Sequence, residues 1–183
     1  MKTAGRLLHV VFSAFLIWQS ILLIERLSVD PPHAFKSVLV DSLFINLFIT
    51  GIFTIVYSFP LYRILPETYY KIKRPDTLKL LCNFMQIEIY RKILRLTLWR
   101  KDQNKKYYFD GTRNGFNRFI VYTKRAEFGH GFGFIIVLII NIYLGLSTNL
   151  LMTVLVFVIN ILFNFYPYVL QRYHRLRLNR IIK

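Results

Sequence analysis

The decisive part of the sequence is GFGFIIVLIINIYLGL (131–146), STN (147–149) and LLMTVLVFVINILFNFYPYVL (150–170). A helix needs about 20 largely apolar residues to cross roughly 30 Å of hydrocarbon. Inside lipid every backbone amide must be bonded within its own segment, which an α-helix achieves. Two apolar runs of this length, parted by three polar residues, therefore read as a helical hairpin that crosses a bilayer twice.

Two further runs lie upstream. Residues 7–24 are apolar except for His9, Ser13, Gln19 and Ser20, and they follow Lys2 and Arg6. Residues 38–62 are broken by Asp41, Asn46 and Gly51 and closed by Pro60. Between the two stand Asp30, Pro31 and Pro32, and paired prolines cannot continue a helix. The first run is read as a retained span and not a signal peptide, because Trp18, Gln19, Glu25 and Arg26 stand where a small-residue cleavage site belongs.

Composition agrees with this division. The chain of 183 residues is 55% hydrophobic yet carries 25 Lys and Arg against 9 Asp and Glu, a formal charge of +16. Such apolar content excludes a disordered polycation, and such charge is foreign to a compact soluble core. The two coexist when apolar residues gather into spans and basic ones into the segments between. The expectation is an all-α membrane protein forming one domain, residues 1–183, with four transmembrane helices at 7–24, 38–62, 131–146 and 150–170 and a basic segment at 63–130. A single cysteine, Cys82, excludes an intrachain disulfide framework, a thiolate zinc cluster and a paired redox centre.

Four spans place both termini and residues 63–130 on one side. That side holds 23 of the 25 Lys and Arg, and the other holds Arg26 and Lys36. The asymmetry makes the basic side cytoplasmic. Within the basic segment, residues 84, 87, 90, 94 and 98 are apolar and lie beside Arg91, Lys92 and Arg95, the pattern of an amphipathic helix in the headgroup plane over 84–99. Asp110-Gly111 and Asn114-Gly115 signal turns in a hydrophilic stretch. A helical pattern resumes over 116–130 and leads into the third span.

Lys124, Glu127 and His130 recur at intervals of three and so share a helix face. Two readings of that face stand side by side. In one, Glu127 holds one ring nitrogen of His130 while the other takes a proton, an acid/base pair. In the other, the three are a salt-bridged turn at the membrane surface. A Glu-x-x-His pair also occurs in di-metal bundles, but those need ligands from other helices and the remaining acids supply no second pair, so no metal is expected. Asp41, Asn46, Asn141, Asn160 and Asn164 are polar positions inside spans and should face protein or a wet cavity, as interhelical hydrogen bonds or as substrate contacts; Asp41, near the outer end, is expected to be solvated. The C-terminal run 171–178 carries Arg172, Arg175 and Arg177, which suit anionic lipid headgroups or phosphate oxygens. Nucleic acid is not an expected partner, because the basic total follows from topology and no recognition motif accompanies it. Nucleophile-elbow, phosphate-loop and His-Glu-x-x-His motifs are absent.

Thr123-Lys124-Arg125-Ala126-Glu127 followed by His130, and then Gln171-Arg172-Tyr173-His174-Arg175-Leu176-Arg177-Leu178 after the last span, resemble the two signature regions of the glycosyl-4,4′-diaponeurosporenoate acyltransferase family. Ile89-Tyr90-Arg91-Lys92-Ile93 and the Asp110-Gly111 turn are similar to its middle segment, so the likeness covers residues 84–183, with a departure at His174. The resemblance implies a transferase of the bacterial cell (inner) membrane acting in carotenoid biosynthesis. It would move a fatty acyl group from an acyl thioester, acyl-CoA or acyl carrier protein, to a hydroxyl of a lipid-soluble glycosylated carotenoid or related glycolipid, with no further cofactor. On that footing His130 is the general base and Glu127 its orienter. Lys124 and Arg125 stabilise the oxyanion or bind donor phosphates, Arg172, Arg175 and Arg177 seat the anionic donor, and Asn160 and Asn164 hold sugar hydroxyls. The alternative is a non-catalytic membrane protein that binds lipid or a partner through its basic face; a transporter is disfavoured by the lack of an internal repeat. Alkaline phosphatase fused after Thr148 is expected to be active outside the cytoplasm, and activity of a cytoplasmic reporter at that point would reverse the topology.

Overall fold

The computed structural model describes residues 2–97, 112–146 and 148–181. Helix α1 (Lys2–Val29) stops before Asp30, Pro31 and Pro32, as the paired prolines require. Helix α2 (Phe35–Ile52) tightens into a 3₁₀ turn, Phe53–Tyr57, before Pro60. A second 3₁₀ turn (Leu61–Ile64) and three short helices follow, α3 (Glu67–Tyr70), α4 (Pro75–Phe84) and α5 (Ile87–Thr97). Helix α6 runs from Arg113 to Gly145, α7 from Leu150 to Asn160, a π-helical turn covers Ile161–Phe165, and α8 runs from Tyr166 to Ile181. The Asn149 side chain accepts from the Met152 amide at 2.9 Å and so caps α7.

Four helical stretches are long and apolar enough to cross a membrane: Thr3–Val29, Phe35–Tyr57, Asn114–Gly145 and Leu150–Leu178. No strand occurs among the described residues. The chain is an all-α multi-pass membrane protein. Its third crossing is not preceded by a separate surface helix; the pattern over 116–130 and the apolar run after it form one helix, α6. The glycines at its centre do not break it because they sit against neighbours. A Cβ on Gly133 would lie 2.9 Å from Asn164 Oδ1, and one on Gly129 would lie 3.4 Å from Phe53 Cβ.

The expected helix over 84–99 starts later, at Ile87, and is described as far as Thr97. Helix α4 ends at Phe84, Gln86 adopts a left-handed φ of 53°, and α5 begins at Ile87. A non-glycine residue in that region reverses the chain at a local steric cost. Trp99 and the Asp110-Gly111 turn lie outside the described residues. On α5, Ile87 is buried and Tyr90 packs on Tyr166 with ring centroids 5.1 Å apart, while Ile89, Ile93 and Leu96 are exposed beside Lys92 and Arg95.

The chain forms two compact units. The first comprises Met1–Pro60 and Gly129–Phe165. Its core is Leu27, Val38, Ile45, Ile49, Val137, Leu144, Met152 and Val156, while Leu7, Phe12, Trp18, Phe44, Ile139 and Val154 face outward, as in a body solvated by acyl chains. Asp41 is not solvated: it is buried and accepts a 2.5 Å hydrogen bond from Arg26, because a carboxylate among apolar helices needs a countercharge. Asn46 Nδ2 donates to the carbonyls of Ser42 at 2.9 Å and Val156 at 3.3 Å, and Asn141 donates to that of Thr153 at 3.2 Å.

The second unit comprises Leu61–Phe128 and Tyr166–Lys183. Tyr62, Tyr70, Cys82, Met85, Ile87, Phe128 and Leu176 are buried in it. Glu88 ties α5 to α8: it accepts from Tyr173 Oη and from Arg91 Nη2, each at 2.5 Å. Burial alone would raise the Glu88 carboxyl, but these hydrogen bonds and the charges of Arg91 and Arg177 outweigh it and hold the group below its ordinary value. A depressed folded value means that the tie is present at neutral pH and is lost as pH falls through that value. Limited proteolysis should accordingly find α5 protected at pH 7 and cleaved in acid, with Glu88→Gln cleaved at both.

Candidate functional site

The two halves of the expected site fall in different units. In the first, α7 opens into the π turn Ile161–Phe165, and such turns occur where a helix reshapes itself around a polar group. Asn164, fully buried in that turn, accepts from Thr50 Oγ1 at 2.9 Å and donates to Asn160 Oδ1 at 2.9 Å. Asn160 in turn donates to the Phe134 carbonyl at 3.0 Å. The asparagine face read from the four-residue spacing is thus a continuous hydrogen-bond chain. His130 lies against the Asn164 side chain and the Phe163 backbone, and its buried Nδ1 has no hydrogen-bond partner among the described residues. Gly133, one turn on, leaves the room that Asn164 occupies.

In the second unit Glu127 has no exposed surface. Its Oε1 lies 3.1 Å from Arg172 Nε, and its Oε2 accepts from Arg175 Nη2. The expected carboxylate–imidazole contact between Glu127 and His130 does not occur. A buried carboxylate gains more from guanidinium charges than from an imidazole, and α8 supplies two of them three apart, Arg175 buried and Arg172 with its side chain 26% exposed.

Aromatic rings hold the cations in place. Arg172 stacks over Tyr69 and Tyr168, with its Cζ 5.3 and 5.6 Å from the ring centroids, and its Nη2 donates to the Tyr69 carbonyl at 2.7 Å. Arg175 Cζ and Lys124 Nζ both lie over Tyr70, at 5.7 and 5.6 Å. Arg125 lies over Tyr62 at 5.8 Å. Tyr70 Oη donates to the Tyr62 carbonyl at 2.7 Å, and burial pushes its phenol up to about 12, so it remains a neutral platform. Lys124 also pairs with Glu67 at 2.5 Å. Arg177 stands apart from this group, 3.8 Å from Glu88, and His174 packs edge-on against Phe119. Among the described residues no three His, Cys, Asp or Glu side chains gather as a metal site.

Of the residues named from sequence, Lys124, Arg125, Glu127, Arg172 and Arg175 meet in the second unit, and His130, Asn160 and Asn164 in the first. Sequence reading missed Thr50, Glu67, Tyr69 and Tyr70. The only local hint was the run Glu67-Thr68-Tyr69-Tyr70-Lys71, an acid and two phenols behind Pro66.

These features define a helical membrane protein with a buried amide–imidazole network and a carboxylate-centred cluster of cations on aromatic rings. Residues 66–183 match the family model of glycosyl-4,4′-diaponeurosporenoate acyltransferase (CrtO). The chain belongs to that family, whose name denotes acyl transfer in carotenoid biosynthesis and implies an acyl donor and a glycosylated acceptor. The match begins ahead of the residues that first suggested it and takes in Glu67, Tyr69 and Tyr70. Comparison with curated proteins and with solved structures finds no match.

Removing the Glu127 charge leaves the buried guanidinium of Arg175 without its carboxylate, which costs about 3–5 kcal/mol for a charge this deep. Glu127→Gln should therefore lower the unfolding midpoint in detergent, and Glu127→Gln with Arg175→Met should recover part of the loss.

Proposed function

We propose that the protein transfers a fatty acyl group from an acyl thioester to a sugar hydroxyl of a membrane-dissolved glycosylated carotenoid or related glycolipid, on the cytoplasmic face of a bacterial inner membrane. Family membership over residues 66–183 carries this reading, and the 23-to-2 distribution of basic residues supports the orientation. A polyene and an acyl chain are both lipid-soluble, so a site at the end of apolar helices receives each without extracting it into water.

In the proposed reaction the acceptor hydroxyl gives its proton to the imidazole of His130 as its oxygen attacks the thioester carbonyl. The new C–O bond forms, the C–S bond breaks, and the proton passes from the imidazolium to the departing thiolate. Asn160 and Asn164, on the network beside His130, bond sugar hydroxyls or hold the ring in place. Lys124 and Arg125 stabilise the oxyanion or take donor phosphates, and Arg177 extends the basic face that the donor approaches. The burial of Glu127 between Arg172 and Arg175 favours a positioning role for the carboxylate: it holds the guanidiniums in place and does not orient the imidazole. The donor is acyl-CoA or acyl carrier protein, and no further cofactor is invoked.

Mass spectrometry of the lipids and pigments of cells with and without the protein should show one added acyl mass on a glycosylated lipid. His130→Ala should abolish that product, a loss of at least a hundredfold for a general base, while the protein still inserts and accumulates. An unchanged lipid profile would favour a non-catalytic lipid-binding protein, and a fully active His130→Ala variant would remove the proposed base.

A further inference from the structure

The second unit contains a cleft of about 140 Å³ lined by Glu67, Tyr70, Lys71, Ile120, Lys124 and Arg175. Three of these side chains are cationic and one is anionic. The countercharge behind them does not restore the balance, because the single carboxylate of Glu127 is shared by Arg175 and Arg172. Arg175 is 4% exposed, and its Nε and Nη1 are buried with no hydrogen-bond partner among the described residues. Unsatisfied guanidinium donors at such depth are costly unless an acceptor arrives from outside.

Tyr70 explains why two like charges tolerate each other here. Its ring carries both Lys124 Nζ and Arg175 Cζ, and the ring quadrupole attracts each of them. The ring keeps the cations together, but it carries no negative charge, and its phenol is engaged as a donor to the Tyr62 carbonyl. Glu67, the only carboxylate among the described residues that line the cleft, bonds Lys124, and its side chain is 69% exposed while that of Lys124 is 16% exposed. It belongs to α3, a helix of four residues. Glu67 is thus a weakly held occupant of a strongly cationic place, since an exposed ion pair contributes little.

We propose that this cleft binds a phosphate group and that Glu67 is the carboxylate which that phosphate displaces from Lys124. A phosphate has more oxygens and more charge than a carboxylate, so it can bond Lys124 and Lys71 together and place its charge beside the Arg175 guanidinium that lines the cleft. Ile120 and the Tyr70 ring supply the apolar part of the lining. The same chemistry is offered by the phosphates of a coenzyme-A or phosphopantetheine donor and by a phospholipid headgroup. The inference rests on the reading of this unit as the donor-binding part of the protein, but it concerns binding alone.

The full-length protein in nanodiscs tests it in two arms. In zwitterionic phosphatidylcholine discs, coenzyme A without an acyl group is titrated calorimetrically. In the other arm, with no soluble phosphate present, phosphatidylglycerol retention is measured by native mass spectrometry. In whichever arm binding is seen, Lys124→Gln should weaken it roughly tenfold or more, the worth of a charge-assisted hydrogen bond. Glu67→Gln should tighten it about two- to fivefold, the worth of an exposed ion pair that no longer competes. Both variants are accepted only if their detergent unfolding matches the unmodified protein; Lys71→Gln, at an exposed residue, replaces Lys124→Gln if that variant unfolds. Absence of binding in both arms, or weaker binding by Glu67→Gln, overturns the proposal. Ester formation is not the readout, so a failure of His130→Ala to lose activity would leave this result intact, and the reverse also holds.

Discussion

In hydrocarbon a polar group has no water to return to, and the arrangement of this protein follows from that constraint. The amide nitrogens of Asn46, Asn141, Asn160 and Asn164 are committed inside the chain. Asn46 reaches the Val156 carbonyl, Asn141 that of Thr153, and Asn160 that of Phe134, each bond crossing from one helix to the next. Asp41 is answered by Arg26. The apolar side chains divide between a small core and an outer surface suited to acyl chains, so uniqueness of packing depends on these few directed bonds more than on burial, which lipid would reward as well.

The same constraint shapes both candidate halves of the chemistry. The Thr50–Asn164–Asn160 chain passes through a π turn, and Gly133 opposite it lacks the Cβ that would collide with Asn164. His130 adjoins that chain. In the second unit, Glu127 anchors two arginines, while Tyr62, Tyr69, Tyr70 and Tyr168 spread the guanidinium and ammonium groups over their faces. Aromatic richness, which by composition looks like membrane-interface character, is used here to crowd cations that would otherwise repel.

Much of the fold was legible because hydropathy is a one-dimensional property. The runs at 7–24 and 150–170 lie within long helical stretches, that at 131–146 ends one residue beyond Gly145, and that at 38–62 outlasts its helical stretch, which stops at Tyr57; Pro31, Pro32 and Asn149 mark helix ends for local reasons. Where sequence reading fell short, the deciding contact was distant or the deciding dihedral unusual. Nothing near Gln86 announces a left-handed residue that parts α4 from α5. Glu127 and His130, three apart on α6, looked like partners, yet the carboxylate is claimed by residues 45 and more positions later.

By itself the sequence determined the number and approximate extent of the membrane-crossing helices, the concentration of positive charge outside them and the family to which the chain belongs, since each is carried by contiguous residues. Only the tertiary structure decided which charges meet. It gave Glu127 to Arg172 and Arg175, set Lys124 between Glu67 and Tyr70, and placed His130 against Asn164. The physical reason is that a buried charge selects its partner by distance and desolvation, and neither is a function of separation along the chain.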